Sequence, residues 1–235
     1  MPLTPAPDPS PADWIVAGLR GFAESVLSLV PAGFEAYVRI FHPAARKSEQ
    51  VRWAEIAAAN GKRAHPGMQL TALAGSREAY RHGQPGVFDV APSIGSLPEE
   101  LVEPLTEALA GQTHTPDRCW FAFWEGFGGL RPEIALAPAF SVPSRRYHVL
   151  RGPLGRLAES ATPDYRFRSA SLCWPDDHAW CVATEIDLNT TYVGCDAVCR
   201  DELLGIPVLE ALAVDPTTGI DYASDALNPA LPPPK

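Results

Sequence analysis

Residues 173–194 read CWPDDHAWCVATEIDLNTTYVG, and the reading of this stretch decides the fold class. Pro175, Asp176 and Asp177 are turn-forming. After them the side chains alternate, so that Trp180, Val182, Thr184 and Ile186 fall on one face of a strand and Cys181, Ala183, Glu185 and Asp187 on the other. Residues 191–193 form a second strand or a continuation beyond the turn-prone Asn189. Asp196 is then placed to cap a helix over 197–204 that Gly205 ends, and residues 208–214 are short and apolar.

Upstream, Ser10 and Pro11 mark a helix start, and Trp14, Phe22, Val26 and Val30 continue at helical spacing up to Pro31. Residues 34–41 alternate as a strand, with Tyr37 and Arg39 on its polar face. A short helix is predicted over 51–60, a short ordered piece over 68–74, and a helix over 96–110 kinked by Pro104. Residues 119–125, CWFAFWE, are aromatic on both faces, the mark of a central strand covered on both sides. Residues 134–137 and 146–151 are further strand candidates, and 153–160 a short helix. The pattern predicts an α+β fold with a mixed, largely antiparallel sheet and helices packed mainly on one face. Residues 1–9 and the Pro-rich residues 229–235 are expected to be disordered tails around a single domain over 10–228.

Charge narrows the partners. Nineteen basic residues against 28 acidic ones give a net charge of −9, which opposes attraction to nucleic acid or anionic membranes. Residues 1–11 have no basic segment and no apolar core, and no later run approaches the ~20 apolar residues of a membrane span. Five cysteines, an odd number in apolar or helical contexts, suit buried reduced thiols and a cytoplasmic location. Cys195 and Cys199, at i and i+4, lack the paired spacings of a structural zinc site.

Two functional readings follow. The first is a non-catalytic binding domain, in which an aromatic face of Trp120, Trp124, Trp174 and Tyr192 meets a protein partner with a basic surface; ordinary core packing is the alternative for at least two of the four. If the strands were neighbours, Tyr37, Arg39, His148, Glu185 and Asp187 would add one polar patch. The second is a metal-dependent hydrolase with Asp176, Asp177, His178, Glu185 and Asp187 around a hard cation, and His148 or His178 as base or ligand. A solvated strand face explains the same acids. No Walker, dinucleotide, nucleophile-elbow or H-E-x-x-H pattern is present, so no cofactor is expected.

The run WPDDHAWCVATEID at 174–187, followed by TYVG at 191–194, resembles a segment of uncharacterised soluble proteins of actinobacteria, and this implies no activity. The expected order of an N-terminal helix and a mixed sheet, with an acidic pI and several tryptophans, is similar in architecture to the SUKH immunity domains. Their Trp-x-x-Ile-Glu start is not matched, because Ile15 follows Trp14 directly. The likeness is one of architecture and assigns no function.

Overall fold

The computed structural model describes residues 2–163 and 167–228. Its frame is one antiparallel sheet whose strands are β1 (Thr4–Pro5), β2 (Ala36–Phe41), β5 (Cys119–Trp124), β6 (Ala139–Val142), β7 (Arg145–Gly152), β8 (Leu172–Pro175), β9 (Cys181–Thr184), β10 (Thr190–Cys195) and β11 (Glu210–Ala213). Their order is β1-β7-β5-β8-β9-β10-β2-β11, with β6 also paired to β7. The α+β class and the antiparallel sheet expected from the sequence are therefore present. A separate hairpin, β3 (Ala44–Arg46) with β4 (Glu49–Val51), stands beside it.

Both faces of the sheet are buried, which is why the central strands read as near-continuous apolar runs. Phe121, Phe123, Val182 and Val193 face one core, covered by the two longer helices, α5 (Glu99–Ala110) and α7 (Ala197–Gly205), through Leu101, Leu105 and Leu203. Asp196 caps α7 by accepting from the Cys199 amide at 2.8 Å. Ala122, Trp174, Ala183 and Tyr192 face the other core, which is covered by Ile15, Val26 and Val30 of the N-terminal segment and by Ile220. A third cluster, around Phe41, Trp53 and Phe88, packs α2 (Trp53–Ala59), α3 (Leu70–Ala74) and α4 (Ala79–His82) near β2. Both carboxylate oxygens of Glu210 accept from the first amides of α2, at 2.6 Å from Trp53 and 2.7 Å from Ala54.

Several expectations are corrected. The N-terminal helix is only α1 (Asp13–Gly18), after a 3-10 turn at Ser10–Ala12. Gly18 packs so close to Pro31 that an added Cβ would lie 2.6 Å from the proline Cβ, and Gly21 and Ala23 then take φ of 65° and 56°, which no helix continues. The start of the chain is not a loose tail from Thr4 onward, since Thr4 and Pro5 pair with Arg151 and Leu150, and Ala6 is buried. The expected tail at 229–235 lies outside the described residues. Residues 132–135 form α6 (Pro132–Ala135), not a strand, because Pro132 with its fixed φ opens a helical turn. The strand predicted over 180–187 ends at Thr184. Glu185 closes the turn that follows by accepting, at 2.6 Å, from the backbone amide of Asp187.

Candidate functional site

The late end of β9 and the start of β10 build the site. In the turn between them Glu185 and Asp187 leave the sheet on its N-terminal-segment side, and the two-residue hairpin of Pro143 and Ser144 returns β6 into β7 so that Arg145 emerges opposite them. Ser144 takes φ 61° to make that turn. Arg145 Nε donates to Glu185 Oε1 at 2.8 Å, and its NH2 donates to Asp187 Oδ2 at 2.8 Å. The Arg145 and Glu185 side chains are only 16% and 13% exposed, whereas Asp187 is 75% exposed, so the first pair is shielded and the second sits at the rim. The guanidinium lies 5.6 Å from the Phe22 ring centre and 5.9 Å from that of Trp124, an arrangement in which π faces flank the cation.

These groups border a cavity of about 630 Å³ whose lining is mainly apolar. Its floor is the sheet, at Tyr147, Leu172 and Ala183. Its walls are residues 19–29, residues 69–80 and the C-terminal residues 220–222. Burial, with the Glu185 charge acting the same way, holds the Tyr147 phenol well above its ordinary pKa, so it stays a neutral hydroxyl. In the wall formed by α3 and α4, Arg77 lies 5.3 Å from the Tyr222 ring centre, and its Nε is buried without an acceptor among the described residues.

The C-terminal wall is tied down by Asp225. This buried carboxylate accepts from the amides of Gln69 (3.2 Å), Leu227 (3.0 Å) and Asn228 (2.9 Å), and its Oδ1 lies 2.9 Å from His65 Nε2. Partial burial favours the protonated acid, but the hydrogen bonds from Asn228, Gln69 and Leu227 outweigh it and lower the pKa. Gln69 continues the tie, donating through its side-chain amide to Ser224 at 3.0 Å.

The proposed polar patch does not assemble. The strands carrying His148 (β7) and Arg39 (β2) are five spacings apart in the sheet, about 24 Å at the usual separation. Tyr37 and Arg39 are buried: Tyr37 donates to the Pro31 carbonyl at 3.0 Å, and Arg39 NH1 donates to Pro66 and Met68, both at 2.9 Å, under the rings of Phe41 and Tyr192. Burial lowers the pKa of Arg39, against the pull of Tyr192 and Asp225. His148 Nδ1 lies 2.9 Å from the Ala137 carbonyl, a backbone anchor for a ring on the α5 side of the sheet. Trp120, Trp124, Trp174 and Tyr192 do share a face, but the N-terminal segment covers it. Trp174 and Tyr192 are wholly buried and the other two partly so.

The acids proposed for a hard cation are divided between the two ends of β9. Asp176 accepts from Trp120 Nε1 at 3.2 Å and faces Arg118, while Asp177 accepts from the Thr113 hydroxyl and the His114 amide, both at 2.8 Å. Partial burial of Asp177 is outweighed by those bonds, and its pKa is lowered. His178 stacks on Trp14 at 4.3 Å, its pKa lowered by burial against the pull of Asp176 and Asp177. Among the described residues no group of three or more His, Cys, Asp and Glu is arranged to hold a metal ion. The five cysteines are free and buried, and burial first, then Asp177, Asp117 and Asp176, push the Cys119 thiol up to about 12.

Sequence reasoning singled out Glu185 and Asp187 as a pair, although they stand in the β9–β10 turn and not on a strand face. It missed Arg145, Arg77 and the apolar walls, because these come from segments 19–29, 69–80 and 220–222 whose meeting carries no local pattern. Comparison with protein-family models, curated proteins and solved structures returns no match. No helix among the described residues is long and apolar enough to cross a membrane.

Proposed function

We propose that this protein is a non-catalytic binding domain whose ligand is a small, mainly apolar molecule held in the cavity over Tyr147, Leu172 and Ala183. One observation carries the reading: a concave space of about 630 Å³, mainly apolar, with a few fixed polar groups at its edge. Ligand sites of drug-sized molecules have this size and this mixture, with apolar walls supplying affinity and a few polar groups supplying orientation. The ion pairs of Arg145 with Glu185 and Asp187 hold the β6–β7 and β9–β10 turns together at the mouth, which keeps the cavity open at little cost on binding. The Tyr147 hydroxyl is held neutral, which suits it to orienting a ligand through a hydrogen bond.

The test is a fluorescence titration with N-phenyl-1-naphthylamine, an uncharged apolar probe. Wild type is expected to show one saturable site per chain. Val142→Trp and Leu188→Trp each enlarge a partly exposed lining residue and should abolish that site while the variants melt near the wild-type temperature. Absence of saturable binding in wild type, or equal binding in folded Trp variants, contradicts the reading.

A further inference from the structure

We infer that the cavity selects a monocarboxylic acid with an apolar body, its carboxylate taken by Arg77; this deepens the binding reading and rests on it. Two arginines line the cavity, and they are in opposite states. Arg145 is occupied: its Nε and NH2 serve Glu185 and Asp187, and its NH1 donates to the Ser144 carbonyl at 3.1 Å. Arg77 makes no hydrogen bond and no ion pair among the described residues. Its one recorded partner is the face of the Tyr222 ring, and its buried Nε has no acceptor.

A guanidinium keeps its charge at every relevant pH and presents a planar fork of donors that matches a carboxylate in two parallel hydrogen bonds. The buried Nε is closed off from the cavity, so the donors open to an incoming carboxylate are the two terminal nitrogens, NH1 and NH2. None of the described acids serves Arg77. Glu185 and Asp187 are bound to Arg145, and Asp221, exposed at the rim beside Tyr222, turns its Oδ1 back to accept from the Ala223 amide at 2.6 Å. Arg77 lines the cavity with its guanidinium carbon 5.3 Å from the Tyr222 ring centre. The Tyr222 carbonyl in turn accepts from Thr71 at 3.4 Å, which ties the two walls together at this point. The rest of the lining near the floor, including Leu70, Leu172 and Ile220, offers mainly apolar surface to the remainder of the ligand, with Tyr147 and Ser171 among its few polar groups.

The net charge of −9 makes this selection local. An acid is repelled by the molecule at large and gains only at Arg77, so affinity should depend on that single residue rather than on ionic strength alone.

The test is displacement of N-phenyl-1-naphthylamine by decanoate and by 1-decanol, in wild type, Arg77→Met and Arg77→Lys, with urea melts confirming that each variant is folded. Decanoate is expected to bind wild type at least about 10-fold more tightly than 1-decanol, as charge-assisted hydrogen bonds allow. Arg77→Met should erase that preference, with each displacement constant corrected for the variant's own probe affinity, and Arg77→Lys should keep part of it. Equal displacement by decanoate and decanol in wild type, or an undiminished preference in Arg77→Met, overturns the carboxylate inference and leaves the apolar cavity standing. Failure of the probe to bind wild type at all overturns both readings.

Discussion

Acid should destabilise this fold through one histidine. His42, wholly buried, has Nδ1 2.8 Å from the Ser93 carbonyl and Nε2 2.9 Å from the Thr191 hydroxyl, which lies 2.7 Å from the hydroxyl of Thr184. A carbonyl only accepts, so Nδ1 carries the proton, Thr191 donates to Nε2, and Thr184 donates to Thr191. Protonating Nε2 reverses that relay, with Nε2 now donating to Thr191, and places a cation in the core near Arg39. Burial chiefly, with the Arg39 charge adding and the Ser93 bond opposing, lowers the pKa from 6.5 to about 4. The sign follows from the ring binding its proton less readily when folded than when unfolded. Its contribution is fully present above pH 6.5, declines as pH falls below 6.5, and is exhausted below about 4. At about 1.4 kcal/mol for each pH unit between the two pKa values the full effect is about 3 kcal/mol, and the part lost between pH 7 and 5 is about 2 kcal/mol. Glu210 acts oppositely, because burial raises its pKa, so His42 must be isolated by difference. Urea melts of wild type and His42→Asn at pH 7 and 5 give that difference, and the NMR titration of the His42 ring in wild type gives the pKa directly. Equal pH slopes in the two proteins, or a His42 ring titrating between pH 6 and 7, would refute the reasoning.

The remaining expectations concern packing and ion pairs. Glu185→Gln should lose roughly 1.5–3 kcal/mol in urea melts, since it weakens a shielded charge-assisted pair with Arg145, whereas Asp187→Asn should stay within about 0.5 kcal/mol because Asp187 is mostly exposed. Gly194→Ala should cost about 1–3 kcal/mol by overpacking, as its Cβ would lie 2.4 Å from the Phe34 ring and 2.6 Å from a Val30 methyl; unchanged stability would mean that this wall is loose. Asp225→Ala should unpin the C-terminal wall, speeding hydrogen exchange at the Leu227 and Asn228 amides and weakening binding of the apolar probe, whereas exchange at wild-type rates would show that the wall is held elsewhere.

The central strands were legible in the sequence because burial on both faces leaves a strong signal. CWFAFW at Cys119–Trp124 has no polar face, and the run around Cys181–Thr184 follows turn residues. What misled was the assumption that polar residues on a strand mark a solvent face. Tyr37 and Arg39 alternate correctly with Val38 and Ile40, yet the N-terminal segment and residues 66–69 close over them, and the Tyr37 hydroxyl and Arg39 NH1 donate to backbone carbonyls. The edge strands β1 and β6 and the internal strand β8 were missed, as they are short and both β1 and β8 contain proline. The long N-terminal helix failed for the converse reason. Its apolar spacing was real, but Val26 and Val30 reach the core from a 3-10 turn and the loop after it instead of from a continuous helix. Of the candidate site, Glu185 and Asp187 were legible as a pair. Their partner Arg145 lies 40 residues away in sequence from Glu185, and pairing at that range leaves no period to read.

The claim that the covered face of the sheet holds a ligand is tested most directly by locating a bound probe. In isotope-filtered NMR of wild type with N-phenyl-1-naphthylamine, intermolecular NOEs should appear from the probe to the methyl groups of Leu29, Leu172 and Ala183, which line the cavity. NOEs confined to the exposed apolar side chains Leu136, Val198 and Leu204, or none at saturating probe, would contradict it.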